Sequence, residues 1–87
     1  MEKRIALVGI IIENSDAVAA VNGILHEYAR FIVGRMGLPR PEHGVNVISV
    51  VMEAPMNDIN VLSGRLGRVD GVLAKCVQTG KVVGTVE

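Results

Sequence analysis

The sequence has no tryptophan, one phenylalanine and one tyrosine. Its core must therefore be assembled from aliphatic side chains, and stacking on nucleic-acid bases has few rings to draw on. A single cysteine, Cys76, excludes an internal disulfide and fits a reducing cytoplasm. Neither sign of charge is in excess: nine basic and nine acidic residues give a formal net charge of zero. A broad electrostatic grip on nucleic acid needs a basic surplus, so this balance argues against one. No apolar run approaches the ~20 residues of a membrane-spanning helix. Lys3 and Arg4 before the apolar run Ile5 to Ile12, with Ala17-Val18-Ala19 after it, imitate a signal peptide. Glu13 and Asp16 interrupt that pattern, and cleavage there would remove a strand the core needs.

What is present is aliphatic. Of the 87 residues, 49% are apolar, enough for one domain spanning residues 1–87 and not for two. A chain this short buries only about 60–65% of its unfolded surface, which makes a partner's added burial valuable. So apolar a composition in so small a chain points to surface hidden in an oligomer.

Ile5 to Ile12 is almost continuously apolar and reads as a strand covered on both faces. Asn14 or Ser15 then caps a helix to about Arg30, with Val18, Val21, Leu25 and Tyr28 as its buried stripe. Gly23 inside that helix costs ~1 kcal/mol relative to alanine, and close packing is the expected reason for it. Phe31 to Leu38 is a second strand, and Pro39-Arg40-Pro41-Glu42-His43-Gly44 a loop. Val45 to Ala54 is a third strand, stopped by Pro55. Its side chains alternate, Val45, Val47 and Val51 one way and Ile48, Val50 and Met52 the other. Asn57 caps a second helix carrying Ile59, Leu62 and Leu66; Gly67 is expected to end it in a left-handed conformation, and Gly71 to open the next strand. Val72 to Gln78 is the fourth strand, Thr79-Gly80 a turn, and Lys81 to Val86 a short extra edge strand.

The order β-α-β-β-α-β is the α+β, ferredoxin-like two-layer sandwich, in which the first and third strands are central and both helices cover one sheet face. These two strands are apolar on both faces. Each large aliphatic side chain left in water forgoes ~1.5–3 kcal/mol of burial. A second copy of the chain is the simplest cover, so a homo-oligomer, dimer or tetramer, is expected.

Leu62-Ser63-Gly64-Arg65-Leu66-Gly67, then Val69-Asp70-Gly71-Val72 and Lys75, resemble the iron-only hydrogenase system regulator family. Val21-Asn22-Gly23-Ile24-Leu25-His26 and Arg35-Met36-Gly37-Leu38-Pro39 add to the likeness, which runs from Met1 to about Val77. The resemblance implies a small ferredoxin-like protein, similar to ACT domains and to the C-terminal domain of the nickel-responsive regulator. It also implies a role in controlling hydrogenase maturation or expression, as a regulatory or sensory module and not an enzyme. That nickel-responsive regulator reads DNA through a separate ribbon-helix-helix domain, whereas this chain opens on its first strand. Its nickel site uses closely spaced histidines and a cysteine, whereas His26, His43 and Cys76 are far apart in sequence. ACT domains bind amino acids at subunit interfaces through a glycine-containing turn after the first strand. Here that turn is Glu13-Asn14-Ser15-Asp16, which departs from the ACT pattern in having no glycine. The alternative function is an ACT-type module that binds an amino acid or anion between subunits.

The candidate ligand-binding residues are Asn14 and Ser15 from that turn, with Arg35 and Arg65. Arg35, Arg40, Arg65 and Arg68 all lie near glycine-rich turns, where they can collect an anion. His26 and His43 are the only imidazoles, one expected on a helix flank and one in a loop; no metal or other cofactor is expected. Cys76 alternates with Val72 and Ala74 and is expected to be buried and inert. Ser15, Ser49 and Ser63 have no sequence cue for a paired base. Glu13 and Glu53 end the two central strands and are expected at one sheet edge. Gly64-Arg65-Leu66-Gly67 matches the four-residue RNA-clamping pattern of KH domains, but Gly34-Arg35-Met36-Gly37 repeats it by chance, and a helix end explains the first.

Overall fold

In the computed structural model, which describes residues 1–86, a four-stranded antiparallel sheet carries two helices. Strands β1 (Glu2–Ile12), β2 (Ile32–Arg40), β3 (Val45–Ala54) and β4 (Val72–Thr85) lie in the order β2-β3-β1-β4. Helix α1 spans Val18–Glu27 and helix α2 spans Met56–Gly67. The first and third strands are central, as the element order predicts. Their alternation decides the packing. Ala6, Val8 and Ile10 of β1 and Val50, Met52 and Ala54 of β3 are fully buried, in one cluster with Val21 and Leu25 of α1 and Ile59, Leu62 and Leu66 of α2. Both helices therefore cover the same sheet face. Val18 and Tyr28, expected in the stripe of α1, are only partly buried at its margin.

Asn14 does cap the first helical segment: its Oδ1 accepts from the Asp16 N–H at 3.0 Å, opening a short 3-10 turn, Ser15–Ala17, ahead of α1. A second 3-10 turn, Ala29–Phe31, follows α1, so Phe31 belongs to the connection and not to β2. The expected cap of α2 is displaced. The helix starts at Met56 with Pro55 in the cap position and no side-chain cap bond, which places Asn57 inside the first turn. Gly67 is the last helical residue, and Arg68 after it stays right-handed. The left-handed residue is Gly71, at φ 78°. A Cβ there would lie 2.6 Å from the Asn14 Cβ, and the Gly71 carbonyl accepts from the Glu13 N–H at 2.7 Å. This contact joins the β1–α1 turn to the entry of β4, and no larger residue fits it.

The C-terminal ends of β2 and β4 also differ from the sequence expectation. β2 runs on through Pro39 to Arg40, pairing Pro39 with Asn46, because β2 is an edge strand and proline's missing N–H costs no ladder bond there. Thr79-Gly80 is no turn, and no separate C-terminal strand follows it. β4 continues to Thr85 because the register with β1 shifts between Ala6↔Gln78 and Arg4↔Val82, so a bulge absorbs the extra residues. The Arg4 Nε donates to the Gly80 carbonyl at 3.3 Å and holds that bulge. Gly23 is exposed with no atom within 4 Å of an added Cβ, so close packing does not account for it.

Candidate functional site

The sheet face away from the helices is aliphatic as well. Leu7 and Ile11 of β1 alternate with the buried residues yet remain 43% and 40% exposed. The registers place Leu73, Ile11, Val47 and Leu38 in one row across the four strands and Val77, Leu7 and Val51 in another. The row between them is Lys75, Gly9, Ser49 and Met36. With no side chain at Gly9, the middle row dips into a concavity of about 360 Å³ walled by Ile11, Val47 and Leu73 and bordered by Ser49 and Lys75. No segment among the described residues packs over this face. The glycine was visible inside an apolar run; its place opposite Ser49 and Lys75 required the register.

Asn14 and Ser15 line a concavity of about 470 Å³ between the β1–α1 turn and the β2–β3 connection. Glu13, Pro39, Gly44 and Asn46 are among its other lining residues. Asn14 already caps the 3-10 turn, which leaves the Ser15 hydroxyl and the Glu13 carboxylate as its freer polar groups.

The other two candidates are elsewhere and serve differently. Arg65 on α2 makes a bidentate pair with Glu27 at the end of α1, at 3.0 and 2.9 Å, and its guanidinium lies 5.9 Å from the Tyr28 ring centroid. The hydrogen bond from Arg65 lowers the Glu27 carboxyl below its ordinary pKa, and the same bond raises that of Arg65. Arg65 is thus a strap between the helices, and Tyr28 and Glu27 are partners the sequence did not single out. Arg35 on β2 faces α1, where its Nη2 donates to the Asn22 Oδ1. His26 is one helical turn beyond Asn22 and lines the same cleft as Arg35. The spacing of Asn22 and His26, four residues apart, was the available signal. Asn14 and Ser15 share one concavity, but neither Arg35 nor Arg65 borders it.

His43 sits in the exposed 3-10 turn Pro41–His43, and no group of three histidine, cysteine or acidic residues positioned for a metal exists among the described residues. Cys76 is half-buried on the helix-covered side of β4, and burial raises its thiol pKa, which disfavours the thiolate. Glu13 and Glu53 are not together. β1 and β3 are antiparallel with Ile5 opposite Glu53, so Glu13, eight residues further on, is about 27 Å away. Gly64-Arg65-Leu66-Gly67 lies wholly within α2, so it forms no clamp between two helices. No helix among the described residues is long and apolar enough to cross a membrane.

These features define the class: a mixed α/β fold whose four-stranded antiparallel sheet has two helices on one face and an uncovered aliphatic surface on the other. The chain belongs to the TM1266-like family, described as "Iron-only hydrogenase system regulator, putative", whose model matches residues 4–76. It is similar to the solved structure of uncharacterized protein TM1266 from Thermotoga maritima, with a TM-score of 0.85 and 33% identity over 88% of this chain and 98% of that one. The de novo designed protein Foldit4 shares the fold alone, with a TM-score of 0.59 and 18% identity over 92% of this chain and 99% of that one. No curated protein matches the chain.

Proposed function

We propose that this chain is a non-enzymatic, cytoplasmic regulatory module of the iron-only hydrogenase system that works as a homo-oligomer, dimer or tetramer, assembled through its open sheet face. The finer fold reading, ferredoxin-like and similar to ACT domains, is supported by the strand order β2-β3-β1-β4 with both helices on one side. The observation that carries the proposal is the aliphatic open face. Leu7, Ile11, Leu73 and Val77 are all exposed on it, and each, being already partly buried, gains a share of the ~1.5–3 kcal/mol of full burial when a partner covers it. A sheet of four strands, each about 4.8 Å wide, and ten residues long presents about 650 Å² before side-chain relief, near the ~800 Å² per partner of a stable interface. Zero net charge leaves little long-range repulsion between copies. Sedimentation equilibrium from micromolar concentration downward tests it. A dimer or tetramer mass is expected, collapsing to monomer in the double variant Leu7→Lys, Ile11→Lys; a monomer at micromolar concentration sinks the reading.

A second reading, a small-molecule sensor of ACT type with its ligand at a subunit interface, is favoured by one observation. The concavity at Asn14 and Ser15 follows the first strand, where the resemblance implies an effector site. A thermal-shift screen of amino acids and nucleotides should raise the Tm of the native chain and leave that of Ser15→Trp unmoved. A null screen removes this reading.

A further inference from the structure

The cleft between α1 and the edge strand β2 is lined by Arg35, His26 and Asn22, with Leu25, Ala29 and Ile32 as its apolar wall, and has a volume of about 280 Å³. It shares no lining residue with the concavity of the open sheet face or with the one at Ser15. Arg35 is placed there because β2 pairs it with Val50, a residue buried beneath the helices, so its side chain rises toward α1 and not toward the open face. The Asn22 amide oxygen takes one of its five N–H donors and fixes the guanidinium, leaving the rest of the fork unused.

The contrast with Arg65 is informative. Among the described residues the ion pairs are Arg65–Glu27, Arg40–Glu42 and Arg4–Glu2, and Arg35 has no carboxylate within reach. No acidic residue lines the cleft at all. A guanidinium held by a neutral amide and an imidazole, lining one cleft, make a donor set without its acceptor.

We propose that this cleft binds a small oxyanion, a carboxylate or a phosphate, held by the Arg35 fork with His26 as second donor. The helix N-terminus plays no part in it: Asn22 lies in the middle of α1 and His26 in its last turn. Its volume admits a molecule of a few heavy atoms beyond the anionic group, and Leu25 and Ile32 offer a short apolar contact beside it. The proposal names a ligand class for the sensory side of the function above, yet it requires no particular oligomer.

The test is a two-dimensional NMR titration of the full chain, following the Arg35 Nε–H, the Asn22 side-chain amide and the His26 ring. Sodium phosphate and sodium acetate are added in separate series against sodium chloride at equal ionic strength. Saturable shifts confined to these three groups are expected with at least one of the two anions, and the stronger series identifies the source chemistry. Arg35→Gln should weaken binding tenfold or more, and Arg35→Lys, which keeps the charge without the fork, should fall between. The Tm and sedimentation mass of Arg35→Gln should match those of the native chain, showing that the fold and assembly are intact. No saturable shift with either anion, or shifts unchanged in Arg35→Gln, overturns the proposal. So does binding centred on Ser15 and Asn46 instead. A native oligomer that binds neither anion fails the cleft alone, whereas a monomer that binds one fails only the assembly reading.

Discussion

The two faces of the sheet carry nearly the same side chains and meet different fates. On one, Val8, Ile10, Val50 and Met52 are sealed beneath the helices; on the other, Leu7, Ile11, Leu73 and Val77 stand in solvent. The hydrophobic effect does not distinguish them, since it scales with area and not with position. What differs is supply. A chain with two helices can roof one side of a four-stranded sheet, so the second side either wastes its aliphatic residues or receives them a cover from outside. This short aliphatic chain thus seals its core on one face and leaves an uncovered aliphatic surface on the other.

The roofed face should be the sensitive one. Leu62→Ala, at a fully buried position between α2 and the sheet, is expected to cost about 2–5 kcal/mol, read by urea denaturation. That is a large part of the stability of so small a domain. Gly71→Ala comes next. It sets a Cβ 2.6 Å from the Asn14 Cβ in a left-handed conformation, and about 1–3 kcal/mol should be lost, again by denaturation. Were this variant as stable as the native chain, the join between the β1–α1 turn and β4 would have no structural weight.

On the open face the expectation inverts. Leu7→Lys with Ile11→Lys should leave the circular dichroism of a folded chain while removing dependence of Tm on protein concentration, because only association is lost. Unfolding of this variant at every concentration would instead make the assembly a condition of folding. The smallest effect belongs to the strap between the helices. Glu27 has a lowered pKa in the folded state, so its contribution is complete above the ordinary carboxylate value of 4.5 and fades as pH falls through the lower folded value. Glu27→Gln should flatten that part of the stability–pH curve. The change should be small and shrink further with salt, since the pair is solvent-exposed.

The helices, the strands and the two-sided character of β1 and β3 were legible because apolar spacing is a local property. Asn14 as a cap was legible for the same reason. Asn57 was not excluded by any local rule, yet Pro55 in extended conformation started the helix two residues sooner than a cap at Asn57 would. Thr79-Gly80 reads as a turn by composition, but pairing with β1 held the chain extended and turned the surplus into a bulge. The four ligand candidates show the limit for sites. Arg35 and Arg65 are alike as sequence, each four-residue neighbour of a glycine pattern, and one is neutralised by Glu27 while the other is held by an amide alone.

Composition and periodicity alone make this an aliphatic, mixed α/β chain with more buried-type side chains than its own helices can cover, because both are written residue by residue. The tertiary fold settles the obligatory Gly71, the ends of the edge strands, the placing of Glu13 and Glu53 at opposite ends of the sheet, and that Arg65 is paired with a carboxylate where Arg35 is not. Those are relations between residues far apart in the chain. They come into being only when the antiparallel register sets which side chains stand opposite one another.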